Sequence, residues 1–474
     1  MPSSKRSSLK FRVEKDALGP VEVPIEAYYG AQTRRAELNF PISGWRLRPS
    51  FTRALALIKA AAAEENLSLG LLDRRRARTI RRAALEAAGG KFDGEFVLDV
   101  FQTGSGTSSN MNANEVIANR AIELLGGERG SKKPVHPNDH VNKGQSSNDV
   151  VPSAVNLAAL MDLRDILHPG ARRLEKSLSK KAREFDSVVK LGRTHLQDAV
   201  PVRMGQEFSG YAEQIRLALR AVANAEARLH GLALGGTAVG TGMNAHPRFA
   251  AGVCRRLSTM TGIAVHEAHN HFEAQGSRDG LVELHGALKV LAAALMKIAN
   301  DVRWMASGPA GGLGEITLPD LQPGSSIMPG KVNPVMCEAA TQAAAQVMGH
   351  DAALTLGGAT GNFELNVMIP MMAWNVLESI HILGNVCRLF AEKCVDGIRA
   401  NRERCRELAE RSSALVTALV PHIGYDRAAA LGLEAARTGR SVRELVVERK
   451  ILTAKEAEKV LALRPLTENG KAKK

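Results

Sequence analysis

The sequence predicts an all-α protein built on long helices, and three observations carry that prediction. Between residues 281 and 305 the apolar side chains Leu281, Leu284, Leu288, Leu291, Leu295, Ile298, Val302 and Met305 follow alternating steps of three and four, the seam of a coiled coil or bundle. Aromatic residues make up only 4% of the 474 while alanine is abundant, which favours close-packed helices over sheets. No internal repeat of solenoid period is visible, which leaves a bundle as the expected architecture.

In chain order, the elements follow from local chemistry. The start, Met1–Lys10, is basic and serine-rich but lacks an apolar stretch, so it does not read as a secretory signal. A helix is expected after Pro152 and another around Leu174, Leu178 and Phe185. Phe208, Tyr211, Ile215, Leu219, Val222 and Leu229 form a further seam, as do Val376, Ile380, Leu383, Cys387, Phe390 and Cys394. Helices of roughly 25 residues are about 40 Å long. Alanine on their flanks makes more than one face packable, so bundling is expected between copies of the chain as well as within one. From about residue 403 the periods shorten and Arg and Glu accumulate, which reads as a small helical unit with a basic end at Lys471, Lys473 and Lys474.

Length and composition bound the function. The length suggests about three domains. Apolar residues at 45% and charged residues at 24% exclude disordered, collagen-like and disulfide-scaffold chains. The charge balance, 63 − 49 = +14, suits an anionic partner. Its basic residues are spread along the chain and few aromatics are available for base stacking, so no nucleic acid is expected. Five cysteines, an odd number with no Cys-x-x-Cys pair, point to a reducing compartment without disulfides or zinc. No run reaches the ~18 apolar residues of a membrane helix. A cytoplasmic protein, not associated with a membrane, is the expectation.

Several motifs have plain structural readings. Gly240-Thr241-Gly242 with Ala245 imitates a dinucleotide fingerprint without the βαβ unit that would give it meaning. Gly324–Lys331 resembles a phosphate loop but spaces its glycines one residue too far, and Val332 stands where a magnesium-binding hydroxyl belongs. His266, His269 and His271 lack metalloprotease spacing and read as loop histidines. Cys387 and Cys394 lie on an apolar seam, and Cys337 has no positioned base beside it.

The segments between the helices are different. Gln102–Asn114, His136–Asp149, Gly192–Gln206, Gly235–Asn244 and Gly308–Pro334 concentrate Gly, Ser, Thr and Asn, and each ends where a helical pattern resumes. That arrangement brings hydroxyls and backbone N–H groups to helix N-termini, where anions bind well. Singly, these are capping and turn residues. Jointly, with the titratable imidazole of His195 and the glycine-rich, closable loop around Lys331, they offer a constellation for a carboxylate ligand.

Gln102-Thr-Gly-Ser-Gly-Thr107, Gln145-Ser-Ser-Asn-Asp149, Gly192-Arg-Thr-His-Leu-Gln-Asp198, Gly235-Gly-Thr-Ala-Val-Gly-Thr-Gly242 and Gly324-Ser-Ser-Ile-Met-Pro-Gly-Lys-Val-Asn333 together resemble the fumarase/aspartase superfamily, in that family's order. Within it the chain looks most similar to the class II fumarate hydratases. Phe272-Glu273-Ala274 and Asn362-Phe363-Glu364 side with fumarase, whereas Leu318–Gln322 and Ser441–Leu445 look more like aspartase.

The resemblance implies a three-domain fold, with an N-terminal domain over residues 1–143, a central long-helix bundle over 144–402 and a small C-terminal helical domain over 403–474. The central helices would assemble into a tetrameric core. It implies a fumarate hydratase, a lyase of the tricarboxylic acid cycle, that needs no cofactor and no metal. The alternatives are aspartate ammonia-lyase and a non-catalytic binding protein derived from the superfamily. By resemblance Ser325 is the base, and His195 manages the water with Glu338 as its carboxylate partner. Lys331 and Asn333 bind the carboxylate that gains charge. Ser105, Thr107, Ser146, Ser147, Asn148, Thr194 and Ser326 hold substrate oxygens. His136, Asn138 and Asp139 match a second dicarboxylate site. The expected partner is a small dicarboxylate, fumarate or malate, in sites that a homotetramer's subunits share.

Overall fold

Alanine- and leucine-rich helices dominate the computed structural model, which describes residues 10–468. The basic start over 1–9 and the lysines Lys471, Lys473 and Lys474 lie outside the described residues. The strands are few and form four two-stranded pairs, so the all-α class expected from the sequence is the observed one. The chain divides into two units. The first comprises the chain up to His168 with Arg220–Val290 and Gln346–Leu383; the second comprises Pro169–Leu219, Leu291–Ala345 and the chain from Gly384.

In the first unit the helix Pro49–Ser68 is central because its middle is buried on nearly all sides. Leu55, Ala56, Ile58, Ala60, Ala61 and Ala62 are all fully buried. It packs against Arg74–Ala88, Ser147–Asp162 and Phe249–Thr261. The helix Arg74–Ala88 starts where the Asp73 carboxylate accepts the Arg76 N–H. It buries Ala77, Ile80 and Ala83 in a core shared with Val116 and Ile117 of the helix Thr107–Leu124. The segments of Asp279–Met305, Val335–Ala359 and Ile369–Lys393 that lie in this unit are joined by a buried polar bridge. His285 lies between the Asp351 carboxylate, 3.1 Å away, and the Ser379 hydroxyl, 2.9 Å away.

The helix expected after Pro152 starts earlier, at Ser147, and Pro152 lies inside it. The Ser146–Asp149 capping box sets that start, satisfying the first N–H groups before the proline is reached.

In the second unit an antiparallel hairpin, Val189–Thr194 with Gln197–Arg203, stands where the sequence suggested only a polar loop. Its first strand packs against the helix Arg402–Arg411. A compact cluster of Leu419, Leu431, Val442, Leu445, Val446, Ala457 and Leu461 holds the short C-terminal helices together.

The seam residues named from the sequence are buried throughout, from Leu281 to Met305 and from Val376 to Cys394. The long helices also keep large apolar groups in the open: Trp304 on Asp279–Met305 is 51% exposed and Leu356 on Val335–Ala359 is 69% exposed. No helix among the described residues is long and apolar enough to cross a membrane.

Candidate active site

The first unit carries one group of the candidate residues, at the N-termini of two neighbouring helices. The turn before Thr107–Leu124 needs glycine twice. A Cβ at Gly104 would collide with the Val367 carbonyl oxygen, and Gly106 has a φ of +74° and lies against Val151. This turn brings the Ser105 and Thr107 hydroxyls to 2.8 Å from each other.

Beside it, Ser146 caps Ser147–Asp162 by accepting the Asn148 N–H at 3.2 Å. Asn148 donates its side-chain amide to the Ala238 carbonyl at 2.8 Å. Asn110 donates to the Ser147 hydroxyl oxygen at 3.0 Å, which ties the two helix starts together.

Asp149 is fully buried and organises this corner. Its carboxylate accepts backbone N–H groups from Ser146, Gly235 and Thr237 at 2.9, 3.1 and 3.0 Å. Burial pushes its carboxyl up to about 6, against the N–H donors that hold it down. The Gly235–Gly242 motif is thus a turn clamped onto a helix start. Contrary to the sequence expectation, a strand does precede it: Gly231–Leu232 pairs in parallel with His266–Glu267, with the helix Phe249–Thr261 between them. Each strand is only two residues long, and among the described residues no larger sheet is built on them.

His136, Asn138 and Asp139 also lie in the first unit, Asn138 and Asp139 on the single turn Pro137–Val141 and His136 as the residue that caps it. His136 Nδ1 accepts the backbone N–H groups of Asn138 and Asp139, both at 3.2 Å. The Asp139 carboxylate lies 3.4 Å from the same ring nitrogen.

The second unit carries the other group. Thr194 and Gln197 face each other across a two-residue hairpin turn, His195-Leu196, with φ of 57° and 58°. Both residues lie in the left-handed region that non-glycine residues rarely adopt, and the turn holds the exposed imidazole at its tip. The flanking strand is anchored by Arg193 and Lys190, which reach the buried Glu315 at 2.9 and 3.0 Å.

The segment Gly324–Asn333 closes on itself. Gly324 donates its N–H to the Lys331 carbonyl at 2.7 Å, and the Asn333 side chain donates to the Gly324 carbonyl at 2.7 Å. Inside this ring the Ser325 hydroxyl oxygen accepts two backbone N–H groups, from Ile327 at 3.2 Å and Met328 at 2.9 Å. Ser326 and Lys331 are exposed, and Lys331 has no ion-pair partner among the described residues. Glu338 lies in the first turn of Val335–Ala359. Within the chain no hydrogen bond or ion pair joins it to His195 among the described residues.

The motifs read as structural are placed as follows. His271 faces the Leu234 carbonyl and His266 the Glu267 carbonyl. All five cysteines are free and buried, and burial pushes the Cys254, Cys387 and Cys405 thiols up to about 12. Cys337 is fully buried too.

Sequence reasoning missed Asn110, Asn142 and Lys59, which stand directly behind Ser147. The available signal was a lysine inside an unbroken apolar run, Ile58-Lys59-Ala60-Ala61.

Comparison with known proteins finds relatives over nearly the whole chain. A family model described as lyase matches residues 19–349, and one described as fumarase C C-terminus matches 415–468. The mitochondrial fumarate hydratase of Rattus norvegicus is 52% identical over 452 residues, which cover 95% of this chain and 89% of that one. The class II fumarate hydratase of Bordetella parapertussis is 54% identical over 436 residues, 92% of this chain and 94% of its own. The crystal structure of recombinant class II fumarase from Schistosoma mansoni superimposes with a TM-score of 0.94 at 40% identity. It covers 97% of this chain and 99% of that one.

Proposed function

The chain belongs to the class II fumarate hydratase family of lyases, and from that premise we propose that it interconverts fumarate and (S)-malate, with Ser325 as the base. The chemical difficulty is removing a proton from the carbon next to a carboxylate. The C–H electron pair must move into that carboxylate, giving an aci-carboxylate, and preorganised donors must hold the added charge. Water then leaves from the neighbouring carbon, and the double bond forms.

One observation carries the assignment. A serine hydroxyl is a poor base, but donors aimed at its oxygen favour the charged form. Ser325 Oγ accepts two backbone N–H groups inside the closed Gly324–Asn333 segment. Lys331 and Asn333 are the natural holders of the developing charge. Ser105, Thr107, Ser146, Ser147, Asn148, Thr194 and Ser326 supply donors for the remaining substrate oxygens. His195 handles the departing water.

Glu338 has no hydrogen bond or ion pair to His195 within one chain among the described residues, and we read their pairing as one made in an assembled form. We read that form as a tetramer whose sites draw residues from three copies. The exposed apolar groups on the long helices support such an assembly. His136, Asn138 and Asp139 remain a candidate second dicarboxylate site. The unpaired cysteines support a reducing, cytoplasmic setting.

The test follows fumarate by its ultraviolet absorbance with malate as substrate. Brisk ammonia release from aspartate without malate turnover would move the chain to the aspartase reading. Ser325→Ala should abolish turnover while leaving assembly intact, and retention of most activity would remove Ser325 from its role.

A further inference from the structure

Lys59 is a lysine with no exposed surface, set among buried alanines in the middle of Pro49–Ser68. A buried ammonium persists only where its donors are used. Its Nζ donates to the side-chain oxygens of Asn142 and Gln145, both at 2.9 Å. Burial lowers its pKa to about 7, and the nearby Asp149 carboxylate opposes that shift.

Nζ donates to both amides, so both turn their oxygens toward it. Asn142 Oδ1 then accepts from Asn110 and Asn114 as well, at 3.2 and 3.1 Å. The Asn110 amide nitrogen, held in that sense, donates onward to the Ser147 hydroxyl oxygen at 3.0 Å. Asn110 and Asn114 leave their own Oδ1 atoms without partners, so the direction of the chain is imposed from the lysine end. Ser147 receives a hydrogen from behind, and its single proton is left to point outward. Without the lysine, Asn142 could reverse; Asn110 would follow, and Ser147 would spend its proton on Asn110.

We propose that Lys59 is a positioning residue for the reaction, fixing the direction of the Asn142–Asn110 amide chain so that the Ser147 hydroxyl donates to a substrate carboxylate. This rests on the reading of Ser147 as a substrate-binding residue. Lys59 itself touches no substrate.

The experiment measures kcat and KM for malate and fumarate in the full-length protein, for Lys59→Met, Ser147→Ala and the double variant. Lys59→Met should raise KM about tenfold with a smaller change in kcat, the worth of one charge-assisted donor. In the Ser147→Ala background the same change should add less than about twofold, since no hydroxyl remains to be oriented. Additive effects, or an unchanged KM in a folded Lys59→Met protein, would overturn the proposal. If Lys59→Met does not fold, Asn142→Leu and Asn142→Asp decide. Leu should raise KM only while Ser147 is present, and Asp, which keeps an acceptor, should not; equal behaviour of the two overturns it. Wild-type protein without turnover would sink the functional reading and this inference with it. Wild-type turnover with additive effects would sink this inference alone.

Discussion

Arg193 and Glu315 form an ion pair of 2.9 Å, with the Glu315 side chain wholly buried and the His195 turn two residues further along the strand. The pair fixes the base of the hairpin whose tip presents the imidazole. Removing one member of a buried pair leaves the other charge stranded, at about 3–5 kcal/mol. Glu315→Gln is therefore expected to lower the thermal midpoint and to reduce kcat/KM for malate together. Calorimetry alongside the ultraviolet assay checks this, and an unchanged midpoint would show that the anchor carries no load.

Gly104 is a second position where the backbone leaves no freedom. A methyl group there would strike the Val367 carbonyl oxygen, and Ile369 donates its N–H to the Gly104 carbonyl at 3.0 Å on the same contact. Gly104→Ala must push two backbones apart, an overpacking penalty of about 1–3 kcal/mol. The same shift would spread the Ser105–Thr107 pair, so KM for malate should rise as stability falls. A chemical denaturation curve and a KM measurement on the variant test both halves.

These two sites show what was legible in the sequence and what was not. The seams from Leu281 to Met305 and from Val376 to Cys394 could be read because helical burial repeats at a fixed period, and every one of those side chains is buried. The Ser325 segment stood out as a candidate because its glycines and polar groups recur jointly with those of the other polar segments, although each taken singly is a turn or capping residue. The hairpin Val189–Arg203 was hidden because Gly192 and Pro201 mask its alternation. Lys59 was hidden for another reason: a lysine in a helix reads as a solvated face until tertiary packing brings Asn142 and Gln145 onto it.

Leu356 tests the proposed assembly. It is 69% exposed on a helix of alanines and glycines, a poor place for a large apolar group unless another copy covers it. Leu356→Lys should weaken association and make specific activity fall on dilution, while the far-ultraviolet dichroism of the chain stays the same. Sedimentation velocity at two concentrations checks it. A variant that assembles and works like the wild type at every concentration would mean that this position stays in water.

Acid sensitivity is expected at the contact between Arg74–Ala88 and Thr107–Leu124. Glu86 accepts from Arg120 at 2.7 and 3.1 Å and from Lys91 at 2.8 Å, and the Arg120 hydrogen bonds hold its carboxyl down to about 2, from an ordinary 4.5. A depressed acid binds fewer protons in the folded chain than in the unfolded one. Its contribution is therefore complete above about pH 4.5 and is lost as pH falls toward 2. The gain is modest because part of the group meets water. Glu86→Gln removes it, so the stability difference between wild type and variant should be largest at neutral pH and shrink steadily below pH 4.5. Urea unfolding at a series of pH values measures that difference directly. A difference that stays constant down to the lowest pH would mean that the Arg120–Glu86 pair is worth no more folded than unfolded.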